Sequence, residues 1–209
     1  MEQTTQATSG AQATGNFDTD TFLVREHVGF LKLHEAYDIL STSGAVIGTA
    51  VERASAFIKI CKLLVNKNML PFTVEIMNAD QKVLLTISRP FTIFRSVVSV
   101  CDTSGKRIGY FRQRLLSLGG RFDLFADNDV QIASLKGDWK GWNFRFLDAK
   151  EQEIGSVSRQ WGGLAKELFT NADNYVVRID RAKISDTRHV QLLLAAAMCI
   201  DMVLKESEG

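Results

Sequence analysis

The sequence predicts a mainly β protein, a closed antiparallel barrel of about twelve strands enclosing one hydrophobic C-terminal helix. Three observations lead there. Five segments repeat one phrase: an apolar run, a short polar turn, then a second apolar run ending in charge. Only 2 prolines occur in 209 residues, so little interrupts strand pairing. A single stretch, VQLLLAAAMCIDMVL from Val190 to Leu204, is apolar on all faces and long enough for a helix.

Residues 1–20, MEQTTQATSGAQATGNFDTD, offer little to bury and are expected to form a disordered tail before a single barrel domain over 21–209. They are read as neither a secretory signal nor a myristoylation site, lacking basic and apolar regions and carrying Glu2. A leading strand is expected around Gly29–Leu33. The hairpins follow as YDILSTSGAVIGTAVER, FTVEIMNADQKVLLTISR, VVSVCDTSGKRIGYFRQR, FDLFADNDVQIASLKGD and FRFLDAKEQEIGSVSRQ. Their turns, STSG, NADQ, DTSG, ADND and DAKE, are rich in Asn, Asp, Ser and Gly, residues that favour turns or tolerate positive φ. Gly48, Gly109 and Gly155 share one column of the repeat with Ala133, which suggests a bulge or a close backbone approach to something inside.

Ten hairpin strands, the leading strand and a late one at Tyr175–Ile179 bring the count to about twelve. So large a sheet must close or split, and a closed barrel of this size is too wide for wall side chains alone to fill. The apolar segment supplies the filling. Its fifteen residues rise about 22 Å as a helix, whereas a bilayer core is about 30 Å thick. Asp201 lies inside it and charges flank it, so a buried core helix is expected rather than a span. Asp186 or Thr187 suits its N-cap.

The net charge of +1 gives no whole-molecule attraction to nucleic acid, which is not expected as a partner. Cys61, Cys101 and Cys199 form neither a disulfide framework nor a zinc motif, and a reducing cytoplasmic compartment is the simple reading. No metal, phosphate-loop, nucleophile-elbow or dinucleotide motif is present, and no enzyme activity is expected. Two local basic stretches stand out. Arg53, Lys59, Lys62 and Lys67 are interleaved with Phe57, Ile60 and Leu64 and have no acid among them. Lys106 to Arg121 includes Arg112, Arg114 and Arg121, again without an acid. Either could lie on a membrane surface, cations at the headgroups and apolar groups below, or be a solvated face of the barrel.

Further motifs carry a family resemblance. WGGLAKELFTNADNY, Trp161 to Tyr175, is similar to the W-x-G … E-x-F-T-D-A-D-N-F signature of phospholipid scramblases. SRPF at Ser88–Phe91 and AAAMCID ending at Asp201 match further family motifs. The chain thus resembles the phospholipid scramblase family and, more loosely, the LURP-one-related proteins, which share the Tubby-like fold. The resemblance implies a twelve-stranded barrel around a C-terminal helix. It also implies a calcium site, here reduced to NADNYVVRIDRAKISD, in which Asn171, Asp173, Asn174 and Asp186 are the candidate ligands. Weak Ca²⁺ binding is the expectation, because hard cations need several anionic oxygens. The family's proline-rich arm and palmitoylated cysteine cluster have no counterpart; only Cys61 stands in the corresponding region. The expected role is peripheral binding to anionic phospholipid membranes from the cytoplasmic side, with phospholipid scrambling between leaflets. The alternative is an interaction or regulatory module with a protein partner and no lipid transport.

Overall fold

The computed structural model describes residues 17, 19–27, 36–53, 70–91, 97–113, 122–138, 141–159 and 174–208, of residues 113 and 201–208 the backbone only. Twelve strands form one closed antiparallel barrel: β1 (Thr21–Glu26), β2 (Ala36–Leu40), β3 (Val46–Glu52), β4 (Phe72–Asn78), β5 (Val83–Arg89), β6 (Val97–Asp102), β7 (Arg107–Gln113), β8 (Phe122–Ala126), β9 (Gln131–Asp138), β10 (Asn143–Leu147), β11 (Glu153–Ser158) and β12 (Tyr175–Ile179). Each strand pairs with its neighbours in sequence, and β1 closes the barrel on β12 through Thr21–Arg178 to Val24–Tyr175. Helix α1 (Thr187–Glu208) follows.

The repeated phrase has one structural meaning. In each of the five tight turns the fourth residue donates its amide to the carbonyl of the first, as from Gly44 to Ser41 and from Gln81 to Asn78. That fourth residue has positive φ every time: Gly44, Gln81, Gly105, Asp129 and Glu151. The side chains of Asn78, Asp102 and Asp148 accept amide bonds across their own turns, which helps hold Gln81 and Glu151 in a region their side chains disfavour. A type I turn followed by a left-handed residue leads into a bulge. The register skips Ile47, Leu84, Ile108, Ile132 and Ile154, one aliphatic residue per hairpin. All five are buried in the core or packed against it, so the bulges close this end of the barrel with hydrocarbon.

The residue after each skipped position points inward, and two of these explain the glycine column. A Cβ on Gly109 would meet the Leu192 methyl groups of α1 at 2.6 and 2.8 Å. One on Gly155 would meet Leu193 at 3.3 Å and the Arg178 carbonyl at 2.8 Å. Both expectations for the column hold here, the adjoining bulge and the close approach. Val190 and the run Leu192–Ile200 are buried, enclosed by inward residues such as Phe22, Ile39, Ile76, Leu124, Phe146 and Val177.

Three boundaries differ from expectation. The expected strand at Gly29–Leu33 lies outside the described residues, and the leading strand is β1, starting at Thr21. Its sequence hides the alternation, because Phe22 and Val24 face the core while Leu23 is buried with Leu40 and Val176 on the outer face. Phe17, placed in the tail by composition, is 3% exposed and packs edge-on against Phe22. The helix runs to Glu208 rather than Leu204, since its last turns contain good helix formers and no breaker.

Candidate functional site

The up-and-down topology sorts the connections into two groups. The five tight turns share one end of the barrel, and α1 enters there after β12. The other six connections, 27–35, 53–71, 90–96, 114–121, 139–142 and 159–174, leave and rejoin the wall at the opposite end. Nearly every residue expected to have a function belongs to this second group. Arg53 and the stretch holding Phe57, Lys59, Ile60, Lys62, Leu64 and Lys67 join β3 to β4, and Arg114 and Arg121 join β7 to β8. Asn171, Asp173 and Asn174 precede β12. Of these, Arg53 and Asn174 are among the described residues.

Arg53 stands where β3 ends, its amide bonded to the Thr73 carbonyl and its Nε 2.9 Å from Glu75 Oε2. Both partners are partly exposed, so the pair contributes little to stability. Arg112 lies on the outer face of β7, one residue from the strand's connection end. Its guanidinium covers the Phe125 ring at 4.6 Å, and Phe125 stacks on Tyr110 at 5.0 Å, which Arg107 covers in turn. This outer ladder buries aromatic faces under cations that remain partly in water.

The two strand ends that flank residues 160–173 are held together by Trp142. Trp142 has φ 49°, an uncommon conformation for a bulky side chain. Its ring packs against Tyr175 with centroids 5.1 Å apart and carries the Arg159 guanidinium at 4.3 Å. One indole therefore touches a residue on either side of that segment. Arg89, buried beside Phe72, acts in a similar way: its Nε and Nη2 donate to the Leu70 carbonyl at 3.2 and 2.8 Å. It ties the foot of the β3–β4 connection to the end of β5. Neither role has a signal in the sequence, since both depend on contacts between strands.

Two of the expected calcium ligands, Asn174 and Asp186, lie at opposite ends of the barrel, while Asn171 and Asp173 lie outside the described residues. Asn174 is buried at the connection end, whereas Asp186 follows β12 at the tight-turn end. The intervening strand separates these ends by about 16 Å. Asp186 is instead the N-cap of α1, its Oδ1 accepting the Arg188 amide at 2.9 Å while Oδ2 lies 3.2 Å from the Arg188 guanidinium. The Arg188 amide bond holds the Asp186 carboxyl below the usual aspartate value, outweighing a smaller desolvation effect. The group's stabilising charge is therefore present above the unfolded value and lost as pH falls through the lower folded one. Asp186→Ala is expected to cost about 1 kcal/mol at neutral pH and less below about pH 4. Denaturant titrations at pH 7 and pH 3 measure this, with any calcium response unchanged. Among the described residues no group of three or more His, Cys, Asp or Glu could hold a metal.

The fold is a closed antiparallel β-barrel whose core is filled by a helix. The chain belongs to the scramblase family: the family model described as Scramblase matches residues 18–207. It is 22% identical to mouse phospholipid scramblase 1, over 91% of this chain and 62% of that protein. It is also similar to a phospholipid scramblase family protein of Schizosaccharomyces pombe, at 26% over 77% of this chain and 45% of that one. Altered inheritance rate of mitochondria protein 25 of Saccharomyces cerevisiae is 22% identical over 90% and 67%. The chain thus spans about half to two thirds of the length of these relatives.

Proposed function

We propose that this protein binds anionic phospholipid membranes peripherally, from the cytoplasmic side, with the connection end of the barrel against the bilayer. Phospholipid movement between leaflets then proceeds from this docked state by disturbance of one leaflet, not through the barrel. The supporting observation is the difference in charge pattern between the two ends. The β3–β4 connection carries Arg53, Lys59, Lys62 and Lys67 without an acid, and Arg114 and Arg121 add to that end. At the tight-turn end Lys82, Lys106 and Lys150 are interspersed with Asp80, Asp127, Asp129, Glu151 and Glu153, all exposed. An anionic surface attracts the acid-free segments of the first end more strongly than the mixed charges of the second.

The helix argues against a lipid path through the barrel, because its buried residues occupy the interior from wall to wall. No helix among the described residues is long and apolar enough to cross a membrane. Calcium has no step in this reading. Asn171, Asp173 and Asn174 without Asp186 supply one carboxylate, and affinity no better than about 10⁻⁴ M is expected by calorimetry.

The test is co-sedimentation with liposomes containing or lacking anionic phospholipid, across a salt series. Binding that requires the anionic lipid and weakens with salt is expected, as screening shortens from about 10 Å at 0.1 M to about 3 Å at 1 M. Protein that ignores anionic liposomes at low salt would overturn the reading in favour of an interaction module with a protein partner.

A further inference from the structure

We infer that Phe91 is a membrane anchor, an aromatic side chain that enters the bilayer when the connection end docks. This rests on the membrane reading above and adds a component that its basic stretches lack. Three large apolar side chains are exposed among the described residues: Phe91 at 56%, Val130 at 55% and Val46 at 44%. Val46 and Val130 flank tight turns, at the opposite end. Phe91 alone of the three stands at the connection end, just beyond the last residue of β5.

A singly exposed phenylalanine is ordinary on a protein surface. Its mounting is not. Pro90 precedes it and fixes its own φ, limiting how the chain leaves the strand. Before that, Arg89 is 2% exposed, paired across the sheet with Phe72 and hydrogen-bonded twice to the Leu70 carbonyl. Burying a guanidinium costs several kcal/mol unless its donors are satisfied, so this arrangement fixes the strand end firmly. Leu70 is also where the chain returns from the basic stretch Arg53–Lys67. A single clamp therefore roots both the aromatic group and the cationic segment.

The surrounding sequence fits an anionic bilayer and not an acidic partner pocket alone. From Phe91 to Ser96 the chain reads FTIFRS, with one cation and no acid. Cations at the headgroups draw this end to the surface by a salt-dependent attraction. An aromatic ring among them adds affinity by leaving water for the interfacial region, and that contribution is not screened. The two contributions can be separated experimentally.

Phe91→Ala and Phe91→Trp are measured against wild type on vesicles of phosphatidylcholine with and without phosphatidylserine, at several salt concentrations. Phe91→Ala is expected to weaken binding about tenfold at every salt concentration, with the slope of affinity against salt and the melting temperature unchanged. Phe91→Trp is expected to bind like wild type and to add a fluorescence component quenched by lipids brominated on the upper acyl chain. Wild type that binds while Phe91→Ala binds equally well would overturn the anchor and leave the electrostatic reading standing. An indole signal added by Phe91→Trp that brominated lipid does not quench would also overturn it. Wild type that fails to bind phosphatidylserine vesicles at low salt overturns both.

Discussion

Deleting α1 from Val190 onward should abolish cooperative unfolding altogether. The segment contributes Val190, Leu192, Leu193, Leu194, Met198 and Ile200 to the core, each fully or almost fully buried. Burial of one such side chain is worth about 1.5–3 kcal/mol, so together they supply roughly 10 kcal/mol or more. The whole stability of a domain is about 5–15 kcal/mol. The wall cannot compensate by collapsing inward, because twelve strands closed in one register fix the circumference. Expected results are loss of the sharp thermal transition and of near-ultraviolet dichroism, with dye binding to exposed apolar surface. A truncated protein that still melts sharply would mean that the barrel packs without its plug.

Charge reversal at Lys59 and Lys62 should have the largest effect on binding. Each cation near an anionic surface contributes about 1 kcal/mol, and replacing it by an acid adds repulsion to the lost attraction. Together Lys59→Glu and Lys62→Glu should weaken liposome binding about thirtyfold or more at low salt. The difference from wild type should narrow as salt rises, which a Phe91 variant should not do. The melting temperature should stay the same. Equal binding by this variant and wild type would move the docking role away from the β3–β4 connection.

Much of the fold was legible because local chemistry repeats. Turns such as DTSG state their geometry in their residues, and five in similar phrases imply a meander that must close. The helix was legible from its all-round apolarity and from Asp201, which counts against a span. β1 was displaced in the reading because Leu23 is buried on the outer face, and a strand buried on both sides lacks period-two alternation. Phe17 was invisible for a related reason: one apolar residue in a polar tail has no period at all.

The site was less legible. Charge runs announce themselves, so the basic connections could be named. The sequence reading groups Asp186 with Asn174, which it follows by only twelve residues. Those residues include a strand that crosses from one end of the barrel to the other, and nearness in sequence becomes separation in space. SRPF was legible as a family motif, but the separate roles of Arg89 and Phe91 within it, and that of Trp142, were not, because a buried and an exposed aromatic read alike in a sequence, and so do a buried and an exposed cation. Only the packing of the strand ends distinguishes them.

Closure between β1 and β12 joins Thr21 to Arg178, and the filling of the interior comes still later, from Val190 onward. During synthesis every strand of the wall therefore leaves the ribosome before the residues that occupy its centre. The hairpins can form as they emerge, since their contacts are local, but the nascent sheet has open edges and an apolar inner face for most of translation. Factors that shield such surfaces are therefore expected to raise its folding yield. Its yield in a cell should respond to elongation rate and chaperone supply more steeply than the stability of the finished barrel would suggest.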